Sequence, residues 1–224
     1  MRRVTFLRFI PLVIFPLVLL FSGCAQKQPV IEAPAVIMEP IKIDPIVDKE
    51  GELRKTIVAN ALKYLNTKDG RDCSGFVAMV NLENGEPYYK ARELEQYFTN
   101  TNRSKAIYNA MKAETRVAKN KPPKIGDLVF FSDTLQTTKR KVGAANITHV
   151  GIVTNIDEDE TVHFIHHSRG KNVMGALNLQ FPQAAQLEGK NINTYMKECD
   201  SRKRKQECLS PYFLSAYGAV ENSF

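Results

Sequence analysis

No apolar run in this 224-residue chain reaches the roughly 20 residues that a membrane-spanning helix needs; the stretch "IPLVIFPLVLLF" ends after about a dozen. There is no internal repeat, which sets aside solenoids and propellers. Aromatic residues are not interleaved with basic ones in the manner of a nucleic-acid platform, so no nucleic-acid partner is expected. Histidine is scarce, four in all, and the one pair four positions apart, His163 and His167, falls in the strand-like stretch "TVHFIHHS" and not on the helix face that a metal site of that spacing needs. Neither a metal nor another cofactor is therefore expected. Cysteine is equally scarce: Cys24, Cys73, Cys199 and Cys208.

What is present begins with an address. "MRRVTFLRF" is basic, the short apolar stretch follows, and "FSGC" puts small residues ahead of Cys24. This reads as a secretory leader over residues 1–23, and its end resembles a bacterial lipobox, with Phe21 in place of the usual Leu. The resemblance implies a lipid on Cys24 and attachment to a membrane through it. With Ala25 rather than Asp next, it also implies the outer membrane, facing the periplasm, if the source is Gram-negative. Residues 24–50 hold Pro29, Pro34, Pro40 and Pro45 with no helical or alternating period, so they read as an extended tether. Residues 51–224 are long enough for one domain with its own core. The formal charge of +7 suits an anionic neighbour, and a merely solvated surface equally well.

Cysteine arithmetic then isolates one thiol. Cys199 and Cys208, in "ECDSRKRKQEC", can pair in an oxidising compartment, a link worth about 2.7 kcal/mol for a loop of about ten residues. Cys73 is left without a partner. It stands in "RDCSGFVAMV", where Phe76, Val77 and Val80 fall on one face of a helix that Asp72 or a neighbour can cap. A cysteine in the first turn of a helix is either a small buried hydrophobe or a thiolate favoured by the positive helix end.

The surrounding periodicity gives the fold class. "ELRKTIVANALKYL" repeats Leu53, Ile57, Ala61 and Leu65 at four-residue steps and predicts an amphipathic helix; residues 90–117 predict two more, broken near "TNTN". After "KPPKIGD" the texture becomes strand-like: Leu128 to Phe131, "NITHVGIVTNI", "TVHFIHHS" and "YFLSAYGAV". Helices first and strands after predict an α+β domain, with helices packed on an antiparallel sheet.

All four histidines (His149, His163, His166, His167) fall in one predicted hairpin. Pairing His149 with His166 centres the turn between Asp157 and Glu158, in its most polar part; pairing it with His163 would centre the turn on apolar Ile156. The first register is expected. His166 then shares the more apolar face with Val162 and Phe164, which is expected to be the face that the Cys73 helix covers.

"DCSGFV" at 72–77, "KIGDLVFF" at 124–131, "THVGIV" at 148–153 and "FIHHS" at 164–168 resemble, in that order, the NlpC-type cell-wall cysteine peptidases, a bacterial branch of the papain-like fold. The resemblance implies Cys73 as nucleophile, His149 as general base and later acid, and His166 as the residue that holds the His149 ring. It implies a substrate-shaping role for Asp72 and Ser74, which as helix caps have an equally good local role. It implies a cysteine hydrolase acting on peptidoglycan stem peptides, at the bond between D-glutamate and the following diamino acid. The alternatives are a weak or silent wall-binding lipoprotein, and an amidase or acyl-transferring relative. The family's "PY..GG" stretch has no counterpart in "NTKDGR", and Tyr64 falls within a predicted helix.

Overall fold

The computed structural model describes residues 48–98, 100–136, 146–199 and 205–220. The leader, Cys24, nearly all of the tether, and the segments 137–145 and 200–204 lie outside the described residues. Helix α1 (Lys49–Lys63) starts where the Asp48 carboxylate accepts the Gly51 N–H at 2.9 Å. Residues 49 and 50, assigned above to the tether, are therefore in its first turn, because the cap precedes them. Ile57 and Ala61 are wholly buried as the four-residue step requires, while Leu62 stays 44% exposed.

Helix α2 (Cys73–Glu83) follows a tight loop in which Gly70 has φ +84°. That loop and the first turn of α2 interlock: a Cβ on Gly75 would lie 1.9 Å from the Gly70 carbonyl oxygen. Glycine at position 75 is thus a condition for the chain to bring Cys73 to the helix start in this way. A 3₁₀ helix (Ala91–Tyr97) and α3 (Arg103–Ala113) complete the helical layer.

The strands are β1 (Val117–Ala118), β2 (Leu128–Ser132), β3 (Ile147–Ile156), β4 (Val162–Ser168), β5 (Lys171–Leu177) and β8 (Leu214–Gly218); β6 (Gln186–Leu187) and β7 (Lys190–Asn191) form a separate small hairpin, and α4 (Ser210–Phe213) leads into β8. Among the described residues the main sheet is antiparallel in the order β1-β8-β2-β3-β4-β5. The domain is α+β, helices then sheet, as expected. Strand β5 was not anticipated: it returns from β4 through Arg169 and Gly170, both at positive φ, a two-residue turn whose twist suits a hairpin.

Both faces of the sheet are covered. Leu128, Phe130, Val150, Ile152 and Ile165 pack under Ile57, Phe76, Val77 and Val80 of the helices. Val129, Phe131, Val153, Val162 and Phe164 form a second core with Leu177, Phe213, Leu214 and Tyr217. This corrects the expected face: the helices cover the side of Ile165, and Val162 and Phe164 lie on the other. Alternation could not distinguish the two sides, because the chain after β5 supplies an apolar cover for the far one. Beside that cover, Cys199 and Cys208 are joined in a disulfide with Cα atoms 5.6 Å apart. No helix among the described residues is long and apolar enough to cross a membrane.

Candidate active site

Cys73 is the first residue of α2. Asp72 before it is extended (φ −149°, ψ 178°), and its carboxylate accepts the Gly75 N–H and the Ser74 hydroxyl, each at 2.7 Å. Burial pushes the Asp72 carboxyl up, but these hydrogen bonds and the charge of Arg103 bring it below its ordinary value. Asp72 and Ser74 therefore build the cap, and both also line the cleft beside Cys73. For the thiol itself, burial raises the pKa. The charge of His149, hydrogen bonds with His149 and Ser104, and the Val150 N–H act the other way and lower it to about 7.

His149 lies at the sheet end of this arrangement. Its Nε2 is 2.7 Å from His166 Nδ1, with the two rings at 88°. That leaves Nδ1 of His149 to face the sulfur. The two histidines meet although the register differs from the expected one. Ile152 pairs with Ile165 and Val153 with Phe164, which continues to Gly151, not His149, opposite His166. A bulge between Val153 and Asn155 takes up an extra residue, and the turn centres near Asp159, where the Asp157 N–H donates to the Thr161 carbonyl at 3.0 Å. The displacement is two residues, so His149 stays on the His166 face as a diagonal neighbour within reach of a long side chain. Gly151 keeps the space between them open: a Cβ there would lie 3.3 Å from the His166 Cβ and 2.9 Å from the Ile165 carbonyl oxygen. His163 is elsewhere, with Nε2 2.8 Å from an Asp157 carboxylate oxygen.

His166 is 2% exposed, and burial, with the neighbouring His149 and His167, holds its pKa well below the ordinary histidine value. It is neutral at pH 7. Its Nε2 is the one buried side-chain polar atom without a partner among the described residues. With Nδ1 of His149 as the base for the thiol, its Nε2–H donates to His166 Nδ1, and the neutral His166 then carries its own proton on Nε2. An amide oxygen can accept in the same way. His166→Ala is therefore expected to lower turnover by about 10²- to 10⁴-fold, the range for positioned acid–base groups, and His166→Asn by clearly less. Steady-state rates of the two variants, measured beside the wild type, check the order.

His167 sits on the helix side of the sheet and is 8% exposed. Its Nδ1 is 3.0 Å from Asn172 Oδ1, and the Asn172 amide donates to the carbonyls of Tyr64 and Asp69. His167 thus braces the loop that presents Cys73, a role hidden in sequence because Asn172 belongs to the unanticipated β5. Ser104 was also missed: its hydroxyl is 3.4 Å from Cys73 Sγ. Tyr64 turns away, its hydroxyl bonded to the Glu83 carboxylate.

Cys73, Ser74, Ser104, Thr148, His149 and His167 border one cleft of about 550 Å³. A larger cavity, about 1020 Å³, lies along the outer side of β5, with His166 in its wall. Of these two, the thiol borders the smaller. No group of three or more His, Cys, Asp or Glu among the described residues is placed to hold a metal ion. A buried thiol of lowered pKa, paired to an imidazole that a second imidazole orients, can perform nucleophilic attack and shuttle one proton.

Comparison with known proteins gives a family match over part of the chain. Residues 63–168 match the family model of the CHAP domain, in keeping with the NlpC- and CHAP-type cell-wall cysteine peptidases. The match runs from the last residue of α1 to the last of β4 and contains Cys73, His149 and His166. Curated proteins and solved structures returned no match.

Proposed function

From the CHAP domain at residues 63–168, which points to hydrolysis of peptidoglycan by a peptidase or an amidase, we propose a cysteine endopeptidase that cuts stem peptides between D-glutamate and the diamino acid. The observation that carries it is the run of contacts from Cys73 through His149 to His166 at one end of a capped helix. In the proposed reaction, the Cys73 thiol passes its proton to His149 Nδ1 and the sulfur attacks the amide carbonyl. The Cys73 backbone N–H, which has no intrahelical partner at the first position of α2, is the oxyanion donor. His149 returns the proton to the leaving amine as the carbon–nitrogen bond breaks. A water, deprotonated by His149, then attacks the acyl-enzyme, and the free carboxyl and thiol are restored. Through this cycle His166 Nδ1 accepts the Nε2–H of the imidazolium and keeps its ring aimed.

The proposal includes a lipid on Cys24, which would hold the domain at the cell envelope, on the periplasmic face of the outer membrane in a Gram-negative source. The lipobox-like leader supports it. Digestion of purified wall, with separation of the fragments by mass, tests the reaction. New D-glutamyl carboxyl ends paired with free diamino-acid amines are expected. Fragments freed at the lactyl–alanine bond instead would make the protein an amidase, and an unchanged wall would leave a binding protein.

A further inference from the structure

Ser104 is 3% exposed, and Cys73 is the one hydrogen-bond partner of its hydroxyl among the described residues. A buried hydroxyl facing only sulfur is poorly satisfied by a neutral thiol, which is a weak acceptor and a weak donor. A thiolate is a far stronger acceptor. The geometry thus rewards the charged form of the sulfur, and it is not accidental in its anchoring. Asn102, the cap of α3, accepts the Lys105 N–H at 2.9 Å and donates its own amide to the Ile147 carbonyl at 2.9 Å. The first turn of α3 is thereby tied to the start of β3, two residues from His149. The starts of α2 and α3 converge on one cleft, and Ser104 approaches the sulfur from the helix side while His149 approaches it from the sheet.

We propose that Ser104 is a further catalytic residue, its hydroxyl donating to Cys73 Sγ to hold the sulfur as a thiolate aimed into the cleft. Ser104 keeps its own proton throughout: the thiol proton goes to His149, and the seryl O–H gains strength as a donor at that moment. When the sulfur bonds to the substrate carbonyl it loses its charge, and the hydroxyl contact weakens again. The inference rests on Cys73 being the nucleophile proposed above. It is consistent with a thiol that titrates near 7 despite its burial.

Alkylation of Cys73 by iodoacetamide across pH tests it in the wild type, Ser104→Ala and Ser104→Thr, with thermal unfolding measured alongside. In the wild type the rate rises through a midpoint of about 7. In Ser104→Ala the midpoint is expected to rise by about one pH unit, which slows alkylation at pH 6 about tenfold, because fewer molecules then carry the thiolate. Alanine suits a helix, so the fold should persist. Ser104→Thr keeps the hydroxyl and is expected to restore the midpoint. An unchanged midpoint in Ser104→Ala overturns the proposal, as does an equal shift in both variants, which would mean packing rather than a donor. Alkylation needs no wall substrate, so the outcome is independent of which bond the protein cleaves.

Discussion

Cys73→Ala is expected to reduce wall cleavage by at least about 10⁴-fold while leaving thermal unfolding nearly unchanged. The change removes one sulfur atom from a helix start whose cap is made by Asp72, Ser74 and Gly75 rather than by the cysteine. Alanine is a good helix former, and the cavity left is small. Activity is another matter, because His149 and His166 act through the sulfur and have nothing to activate without it. Residual cleavage then comes only from substrate positioning and the backbone donor. Fragment release from purified wall, followed over time beside a melting curve, gives both quantities. Cleavage within about tenfold of the wild type would sink the nucleophile assignment.

Arg54→Ala is expected to cost about 3–5 kcal/mol of stability, the usual penalty for leaving a buried charge without its counterion. Arg54 and Asp127 are each 5% exposed, and Arg54 Nη1 donates to Asp127 Oδ1 at 2.7 Å and to the Ile125 carbonyl at 2.9 Å. The same carboxylate accepts the Lys124 N–H at 2.8 Å and the Val220 N–H at 3.1 Å. One ion pair therefore ties α1 to the start of β2 and to the chain beyond β8. Beside it the buried Tyr88 hydroxyl donates to the Gly126 carbonyl at 2.6 Å. Truncating Arg54 leaves Asp127 charged in a low-dielectric site, whereas Arg54→Met with Asp127→Asn removes both charges and should recover part of the loss. Urea unfolding of the two proteins measures it. A loss below about 1 kcal/mol for Arg54→Ala would show that water reaches the carboxylate and that the pair is not truly buried.

The pair also bears on the motif around Asp127, where Gly126 and Asp127 are expected to be structural and to turn the chain into a strand. In "KIGDLVFF" Gly126 turns at φ +83°, Asp127 collects hydrogen bonds from three parts of the chain, and the apolar run enters the sheet. None of these residues borders the cleft around Cys73. Their contribution to chemistry is to set β2, against which β3 pairs and so carries His149 into place.

By itself the sequence determined what depends on neighbours along the chain. The cap at Asp72, the helix that follows Cys73, the strand texture around the histidines and the α+β order all rest on hydrogen bonds and periodicities spanning a few residues. The side-by-side placement of His149 and His166 was legible for a related reason: an error of two residues in register preserves the face of a strand. The tertiary structure decided whatever depends on distant chain. It decided which face the helices cover, because Phe213, Leu214 and Tyr217 make the opposite face equally apolar. It placed Asn172 under His167, through a strand that a two-residue turn folds back. It set Arg54 against Asp127 across 73 positions. And it set Ser104, an ordinary residue for the first turn of a helix, against the thiol 31 positions before it. Such contacts leave no local signal, since the serine and the arginine suit their own helices whether or not a partner waits across the core.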